Sequence, residues 1–199
     1  FFGSFMGASV KLLSDDLHPI IICFYRCVMG LILITPFVVR NNFKALQTDN
    51  MRLQIFRALI NIISMICWFS AIGMMHLEKA TALGFTTPLF TTILAVLMLG
   101  EVIRFHRTAA LLLGFFGIII IIRPGYLPFE FGTLLMLIAS FSFSFVLIFV
   151  KKLSATDSSL TIIFYHLLFM TPIFFILSLF FWENISFYQL IVFTLMGGA

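Results

Sequence analysis

Long apolar segments alternate with short polar connections along the whole chain. Eight segments are apolar enough for membrane helices, since a helix that crosses a bilayer needs roughly 20 mostly apolar residues. They cover residues 1–14, 18–39, 54–75, 79–99, 106–123, 130–151, 159–182 and 186–199. The apolar runs are continuous, whereas the strands of a membrane β-barrel alternate at every second residue. We therefore predict helices, which satisfy their own backbone hydrogen bonds in lipid.

The composition favours a lipid environment. Hydrophobic residues make up 62% of the 199 residues and charged residues 10%, compared with about 45–50% and about 25% in soluble domains. The net charge of +4 is too small and too scattered for a nucleic-acid-binding surface. The expected partner is the lipid bilayer, with no nucleic acid, and no pattern indicates an oligomeric state.

No residue pattern indicates a metal site or a cofactor. The three cysteines, Cys23, Cys27 and Cys67, lie inside apolar segments, where a thiol usually acts as a small apolar side chain. Cys23 and Cys27 are one helical turn apart, but no histidine or carboxylate joins them in the sequence. We therefore predict neither a metal ion nor a cofactor.

Basic residues are distributed unevenly between the connections. We number the connections between the eight segments in chain order. Three basic residues flank the first, third, fifth and seventh connections, and eight flank the second, fourth and sixth. These eight are Arg40, Lys44, Arg52, Arg57, Arg104, Arg107, Lys151 and Lys152. The positive-inside rule places the richer side in the cytoplasm, so the first segment runs from the cytoplasm to the outside. The low charge and the many Phe and Ile residues favour a bacterial inner membrane.

Two stretches of 23 residues repeat each other at an offset of 140. Residues 4–26 and 144–166 share nine identical positions without a gap. The repeat unit contains five spans, an odd number, so the second copy enters the membrane from the opposite side. Inverted repeats recur in secondary transporters, whose substrate site lies near the midplane. We predict a first repeat at 1–125 and a second at 130–199.

The predicted fold is an all-α polytopic membrane protein, an inverted repeat of five transmembrane helices. Both ends of the sequence fall within apolar segments. We therefore expect a ten-span parent protein, of which about eight spans are wholly or partly present. The first repeat is expected to be truncated at its N-terminus and the second at its C-terminus.

Several motifs occur together in the chain. In the fourth span, Ala80 is followed by Pro-Leu-Phe at 88–90 and by LGE at 99–101. The stretch LLLGFFGIIIIIRPG follows and ends at Gly125. In the second span, Arg26 lies in the stretch FYRCVMG. Together these motifs resemble the signature of the EamA family in the drug/metabolite transporter superfamily. The resemblance covers the whole chain and implies a ten-span fold of two inverted repeats. It also implies transport of a small organic solute.

Arg26 is the strongest candidate for a solute contact. It lies about two turns inside the second span, where an ionised side chain costs at least ~2.5–3.5 kcal/mol. In one interpretation it attracts an anionic or carboxylate-bearing solute. In the other it extends to the outer interface and pairs with Asp15 or Asp16. His166 occupies the matching position of the second repeat, where it either titrates near neutral pH or packs through a hydrogen bond.

Small polar residues mark further candidate positions. Asn61, Ser64 and Trp68 lie on one face of the third span because they are three and seven residues apart. In one interpretation all three line the solute path. In the other, Asn61 and Ser64 form interhelical hydrogen bonds. Ser140 and Ser144 lie one turn apart on the sixth span, where they either form the matching wall or allow close packing.

The fourth span contains Thr87, Pro88 and Thr91. Pro88 lacks a backbone donor and leaves the carbonyl of Gly84 without its usual bond. The freed polar groups either line a solute site or form a static kink that threonine hydroxyls repair.

The fourth span ends at Glu101, close in sequence to Arg104 and Arg107. We expect a structural ion pair at the interface, and a carboxylate coupled to proton movement is the alternative.

Three classes of function fit a polytopic membrane protein of this kind. We predict a transporter that moves a small-molecule solute by alternating access, and not an enzyme. An intramembrane enzyme needs reactive groups within reach of each other, and the sequence has no HExxH, no GxSxG and no pair of intramembrane aspartates. A scaffold subunit needs no polar path, whereas polar residues lie inside several of these spans.

Overall fold

A computed structural model describes residues 17–40, 46–102, 105–122, 131–182 and 185–197. All regular secondary structure within these ranges is helical, as the continuous apolar runs predict. A 3-10 turn, Leu179–Phe181, directly follows the seventh helix. The helices are α1 (Pro19–Arg40), α2 (Met51–Met74), α3 (Leu77–Gly84), α4 (Thr86–Leu99), α5 (Phe105–Ile122), α6 (Phe131–Leu153), α7 (Ser159–Ser178) and α8 (Phe187–Gly197).

Five of the described helical segments are long and apolar enough to cross a membrane. They are Pro19–Arg40, Met51–Met74, Leu77–Leu99, Phe131–Leu153 and Ser159–Phe181, each with 22 to 24 residues. Helices of this length extend about 33–36 Å, which matches a hydrocarbon core of about 30 Å. The prediction of an all-α polytopic membrane protein is confirmed. The segment predicted at 1–14 lies outside the described residues.

Local chemistry explains where several helices begin and end. α1 begins at Pro19, whose missing N–H is no loss in the first turn. α7 begins after Ser158, whose hydroxyl accepts a hydrogen bond from the backbone N–H of Thr161 at 3.1 Å, as an N-cap does. α4 ends at Leu99 and is followed by Gly100, whose φ of 66° lies in the left-handed region that favours glycine.

The helices of the two predicted repeats pack against one another. α2 packs along α6, and α1 packs along α7; α1 also contacts α8, while α7 also contacts α2. The main core lies among these helices and includes Phe69, Met136 and Phe174, which are fully buried. The outer surface carries many exposed large apolar side chains, such as Leu97 and Phe180. This distribution fits a protein whose outer solvent is lipid.

Gly132 allows α6 to approach α2 closely. A Cβ atom at this position would lie 3.0 Å from Met75 Cε and 3.3 Å from Met74 Cβ. We expect Gly132→Val to lower the free energy of unfolding by about 1–3 kcal/mol, because the extra methyl groups overpack the contact. Thermal unfolding of the purified protein in detergent measures the change. Gly114→Val is the matched control, since a Cβ at Gly114 meets no atom within 4 Å, and equal effects of the two substitutions would contradict the prediction.

Candidate functional site

One face of α2 carries polar side chains that are buried within the bundle. Gln54, Arg57, Asn61 and Ser64 follow one another at spacings of three and four residues, which places them on the same side of the helix. None of the four is more than 4% exposed. Polar groups buried in this way need partners, because desolvation without a hydrogen bond is costly.

Asn61 and His166 meet where α2 packs against α7. Asn61 Nδ2 lies 3.1 Å from His166 Nε2 and donates a longer bond of 3.5 Å to Met170 Sδ. Asn61 Oδ1 and His166 Nδ1 are buried and have no hydrogen-bond partner among the residues that the structure describes. Asn61 is ten residues into α2, about 15 Å along the helix. The pair therefore lies near the middle of the span.

Arg57 lies inside the bundle and not at the membrane surface, where the charge count placed it. Its side chain is 3% exposed, and its Nη2 donates to the carbonyl oxygen of Ile162 at 2.7 Å. Its Nε is buried and has no partner in the described ranges. The sequence contains a signal for this position, because Arg57 precedes Asn61 by four residues and therefore shares its helical face.

Arg26 reaches the same helix from α1. Its Nη2 donates to Met65 Sδ at 3.3 Å, one turn from Asn61 along α2. A thioether is only a weak acceptor, and Arg26 Nε is buried with no partner in the described part of the chain. Asp15 and Asp16, the alternative partners predicted from the sequence, lie outside the described residues. We call Arg26, Arg57, Asn61 and His166 the polar seam.

The polar seam contains two basic side chains, those of Arg26 and Arg57. Neither arginine forms an ion pair with a carboxylate within the described ranges; their hydrogen bonds go to a carbonyl oxygen and a sulfur atom. Unpaired charge in the interior of a protein is costly. The seam is therefore suited to receive a group that supplies negative charge.

The other predicted path residues on α4 and α6 form a separate group. Ser144 Oγ lies 2.7 Å from the carbonyl oxygen of Ser140 and 3.1 Å from that of Thr87. Thr91 Oγ1 donates to the same Thr87 carbonyl at 2.8 Å. These hydrogen bonds join α4 to α6 and include no residue of the polar seam.

The fourth span is interrupted at Phe85, three residues before Pro88. The span is thus two helices, α3 and α4, and not one helix with a bend. The N–H of Phe85 donates to the carbonyl of Ala82 at 3.2 Å, which closes the end of α3. The carbonyl of Pro88 accepts from Thr92 Oγ1 at 2.8 Å. A threonine hydroxyl therefore bonds a carbonyl beside the break.

Ser64 and Trp68 lie further along the same face of α2. Ser64 Oγ donates to the carbonyl oxygen of Ala139 at 2.9 Å, which joins α2 to α6. The indole of Trp68 is half-buried and packs edge-on against Phe69, with the ring centroids 5.0 Å apart. The Ser64 hydroxyl thus makes an interhelical hydrogen bond.

Glu101 forms an ion pair with Lys151 at the end of α6. Arg104 and the side chain of Arg107, the partners expected from the sequence, lie outside what the structure describes. The Lys151 side chain is 57% exposed, so the pair lies at the surface, where ion pairs contribute little to stability.

A cavity of about 670 Å³ opens at the end of the bundle where α2 and α7 begin. No residue of the polar seam lines it, but its lining residue Thr161 precedes Ile162, whose carbonyl oxygen accepts the hydrogen bond of Arg57. The lining residues are Leu46, Gln47, Thr48, Asp49, Thr156, Asp157, Ser158 and Thr161.

Asp157 connects two loops beside this cavity. Its Oδ2 accepts hydrogen bonds from Thr48 Oγ1 at 2.6 Å and from Gln54 Nε2 at 2.8 Å. Both Asp157 and Gln54 are buried. We call Thr48, Gln54 and Asp157 the latch, and none of the three was a candidate from the sequence. Among the described residues, no group of three or more His, Cys, Asp or Glu side chains could hold a metal ion.

Apolar helices of spanning length around a buried polar seam define a multi-pass integral membrane protein. The EamA-like transporter family matches residues 1–123, more than half of the chain. The chain belongs to this family, as the motifs indicated. No solved structure matches the chain.

Curated relatives of the chain are named as transporters. An S-adenosylmethionine uptake transporter of Rickettsia prowazekii is 28% identical over 95% of this chain and 64% of its own length. A riboflavin transporter of Vibrio cholerae is 31% identical over 78% of this chain and 53% of its own length. A pseudopaline exporter of Pseudomonas aeruginosa is 27% identical over 82% of this chain and 58% of its own length. The chain thus spans less than two thirds of the length of these relatives.

Proposed function

We propose that the protein is a secondary transporter that moves a small organic metabolite or drug across the membrane by alternating access. The observation that carries this proposal is the polar seam, in which Asn61 Oδ1 and His166 Nδ1 lie near mid-span without partners in the described residues. A transported solute supplies such partners while it is bound and removes them when it leaves. The names of the relatives from Rickettsia, Vibrio and Pseudomonas support the same class of activity, without catalysis of a reaction.

The proposal includes an inverted repeat, with residues 1–125 and 130–199 in the two halves. The packing supports it, because α1 contacts α7 and α8 while α7 contacts α1 and α2. This is the pattern expected if α1 and α7 are equivalent helices related by a two-fold axis. The polar seam then lies between the halves, since Arg26, Arg57 and Asn61 belong to the first and His166 to the second.

We place the protein in a bacterial inner membrane, with the cavity on the cytoplasmic side. The excess of basic residues near the start of α2 and the end of α6 supports this orientation. In alternating access the cavity leads solute from the cytoplasm to the polar seam, and two latch residues, Thr48 and Asp157, line it. The first segment, at 1–14, then runs from the cytoplasm to the outside.

A comparison of metabolites tests the function. The full-length protein, its Arg26→Ala variant at matched membrane abundance, and an empty vector are expressed in a bacterial host. We expect at least one solute to change in cells and medium with the wild type only. Equal metabolite contents in all three cultures, including cultures supplied with S-adenosylmethionine or riboflavin, would contradict the transport function.

A further inference from the structure

We propose that the polar seam is an anion site that binds the carboxylate group of the solute, with Arg57 as its anchor. The proposal rests on the transport function above and adds the chemical class of the solute. Arg57 is 3% exposed, and its Nε is buried without a partner in the described residues. The sequence resemblance assigns Arg57 no role.

The unpaired donors of the seam outnumber its unpaired acceptors. Because Asn61 Nδ2 is a donor, the facing His166 Nε2 accepts, and the ring proton lies on Nδ1. The buried seam atoms without a partner in the described ranges are then three donors, on Arg26 Nε, Arg57 Nε and His166 Nδ1, and one acceptor, Asn61 Oδ1. Gln54 Oε1, about one turn before Arg57 on α2, is a further acceptor of this kind outside the seam. A carboxylate accepts hydrogen bonds only, so it complements the donors. An amino or hydroxyl group beside it on the solute would complement Asn61.

The charges of the seam favour the same ligand. Arg57 Nη2 donates to the carbonyl oxygen of Ile162 and Arg26 Nη2 to the sulfur of Met65, and these uncharged acceptors neutralise neither guanidinium. The carboxylate of Asp157 is occupied by Thr48 and Gln54. A carboxylate from the solute would supply a negative charge that no described residue pairs with these arginines, and the planar fork of a guanidinium matches its two oxygens.

Pairs of ligands test directly whether the seam binds carboxylates, in a binding assay that does not require transport. The purified full-length protein is titrated in detergent with organic acids, each beside its own carboxamide: succinate with succinamide, and methionine with methioninamide. The melting temperature of the protein reports binding. We expect an acid to bind about tenfold or more tightly than its amide, because a buried charged hydrogen bond is lost with the amide.

Variants of two arginines on the same helix assign the preference to the seam. Arg57→Gln is expected to remove the preference for the acid, and Arg57→Lys to retain part of it. If the Gln variant does not fold, the reduced preference for the acid is measured on Arg57→Lys instead. Arg52→Gln makes the same charge change at an exposed position of α2 and is expected to keep the full preference.

Two results would overturn the anion site. One is equal binding of every acid and its amide to the wild type; the other is an undiminished preference in a folded Arg57→Gln variant. Either result would leave the transport function in place if the metabolite comparison identifies a solute. Conversely, carboxylate binding without any transported solute would support the site and contradict the transport function.

Discussion

Arg26→Lys is expected to reduce the transport rate of the full-length protein by about tenfold or more at unchanged abundance. Lysine keeps the positive charge but loses the planar guanidinium, which can donate two parallel hydrogen bonds to one solute group. Loss of a hydrogen bond to a charged group costs about 1.5–3 kcal/mol, and each 1.4 kcal/mol is a factor of ten. The initial rate of movement of the solute identified by the metabolite comparison measures the effect.

Arg40 provides the control for this substitution. It ends α1, the same helix, but its side chain is exposed. Arg40→Lys is therefore expected to transport at the wild-type rate. If Arg26→Lys also transports at that rate, the guanidinium fork is not needed, and Arg26 has only the structural role that the sequence left open.

Asp157→Ala is expected to lower the free energy of unfolding by about 2–4 kcal/mol. The substitution removes the acceptor of Gln54 Nε2 and Thr48 Oγ1, and Gln54 is fully buried. A buried donor that loses its partner costs about 1–3 kcal/mol, and the cost is larger when the lost group is charged. Thermal unfolding in detergent measures the change in stability.

The latch makes a second, independent prediction for the same variant. A cysteine introduced by Thr161→Cys, in the wall of the cavity, should react faster with a polar maleimide when Asp157 is Ala. The two loops then lose the bond between Thr48 and Asp157 and keep the one between Asn50 and Thr156. Asp49→Ala is the control for stability, since Asp49 is exposed in the same cavity and exposed substitutions usually change stability by less than about 0.5 kcal/mol. A similar loss of stability in both variants would show that the latch hydrogen bonds contribute nothing specific.

The spans could be predicted from the sequence because lipid imposes a one-dimensional rule. Every crossing needs roughly 20 apolar residues in a helix, and this rule located α1, α2, α6 and α7 to within a few residues. The rule is insensitive to local breaks in the backbone. It therefore predicted one segment at 79–99, where the structure has α3 and α4 separated at Phe85.

The partners of polar residues could not be predicted, since they are set by contacts between helices far apart in sequence. Asn61 was a candidate from its helical face, but its proximity to His166 depends on the packing of α2 against α7. The side chains of the arginines expected to pair with Glu101 lie outside what the structure describes, and its ion pair with Lys151 on α6 was not anticipated. Sequence distance is a poor guide to contact when whole helices pack side by side.

The sequence by itself determined that this protein is an all-α membrane protein of the EamA-like family, because apolar length and local motifs are readable along one chain. It also identified Arg26, Asn61 and His166 as polar residues inside spans. Only the tertiary structure decided that Arg57 joins them and that Asp157 connects the loops at the cavity. The physical reason is that a charge near a helix end looks the same in sequence whether it faces water or the bundle interior, and packing alone removes it from solvent.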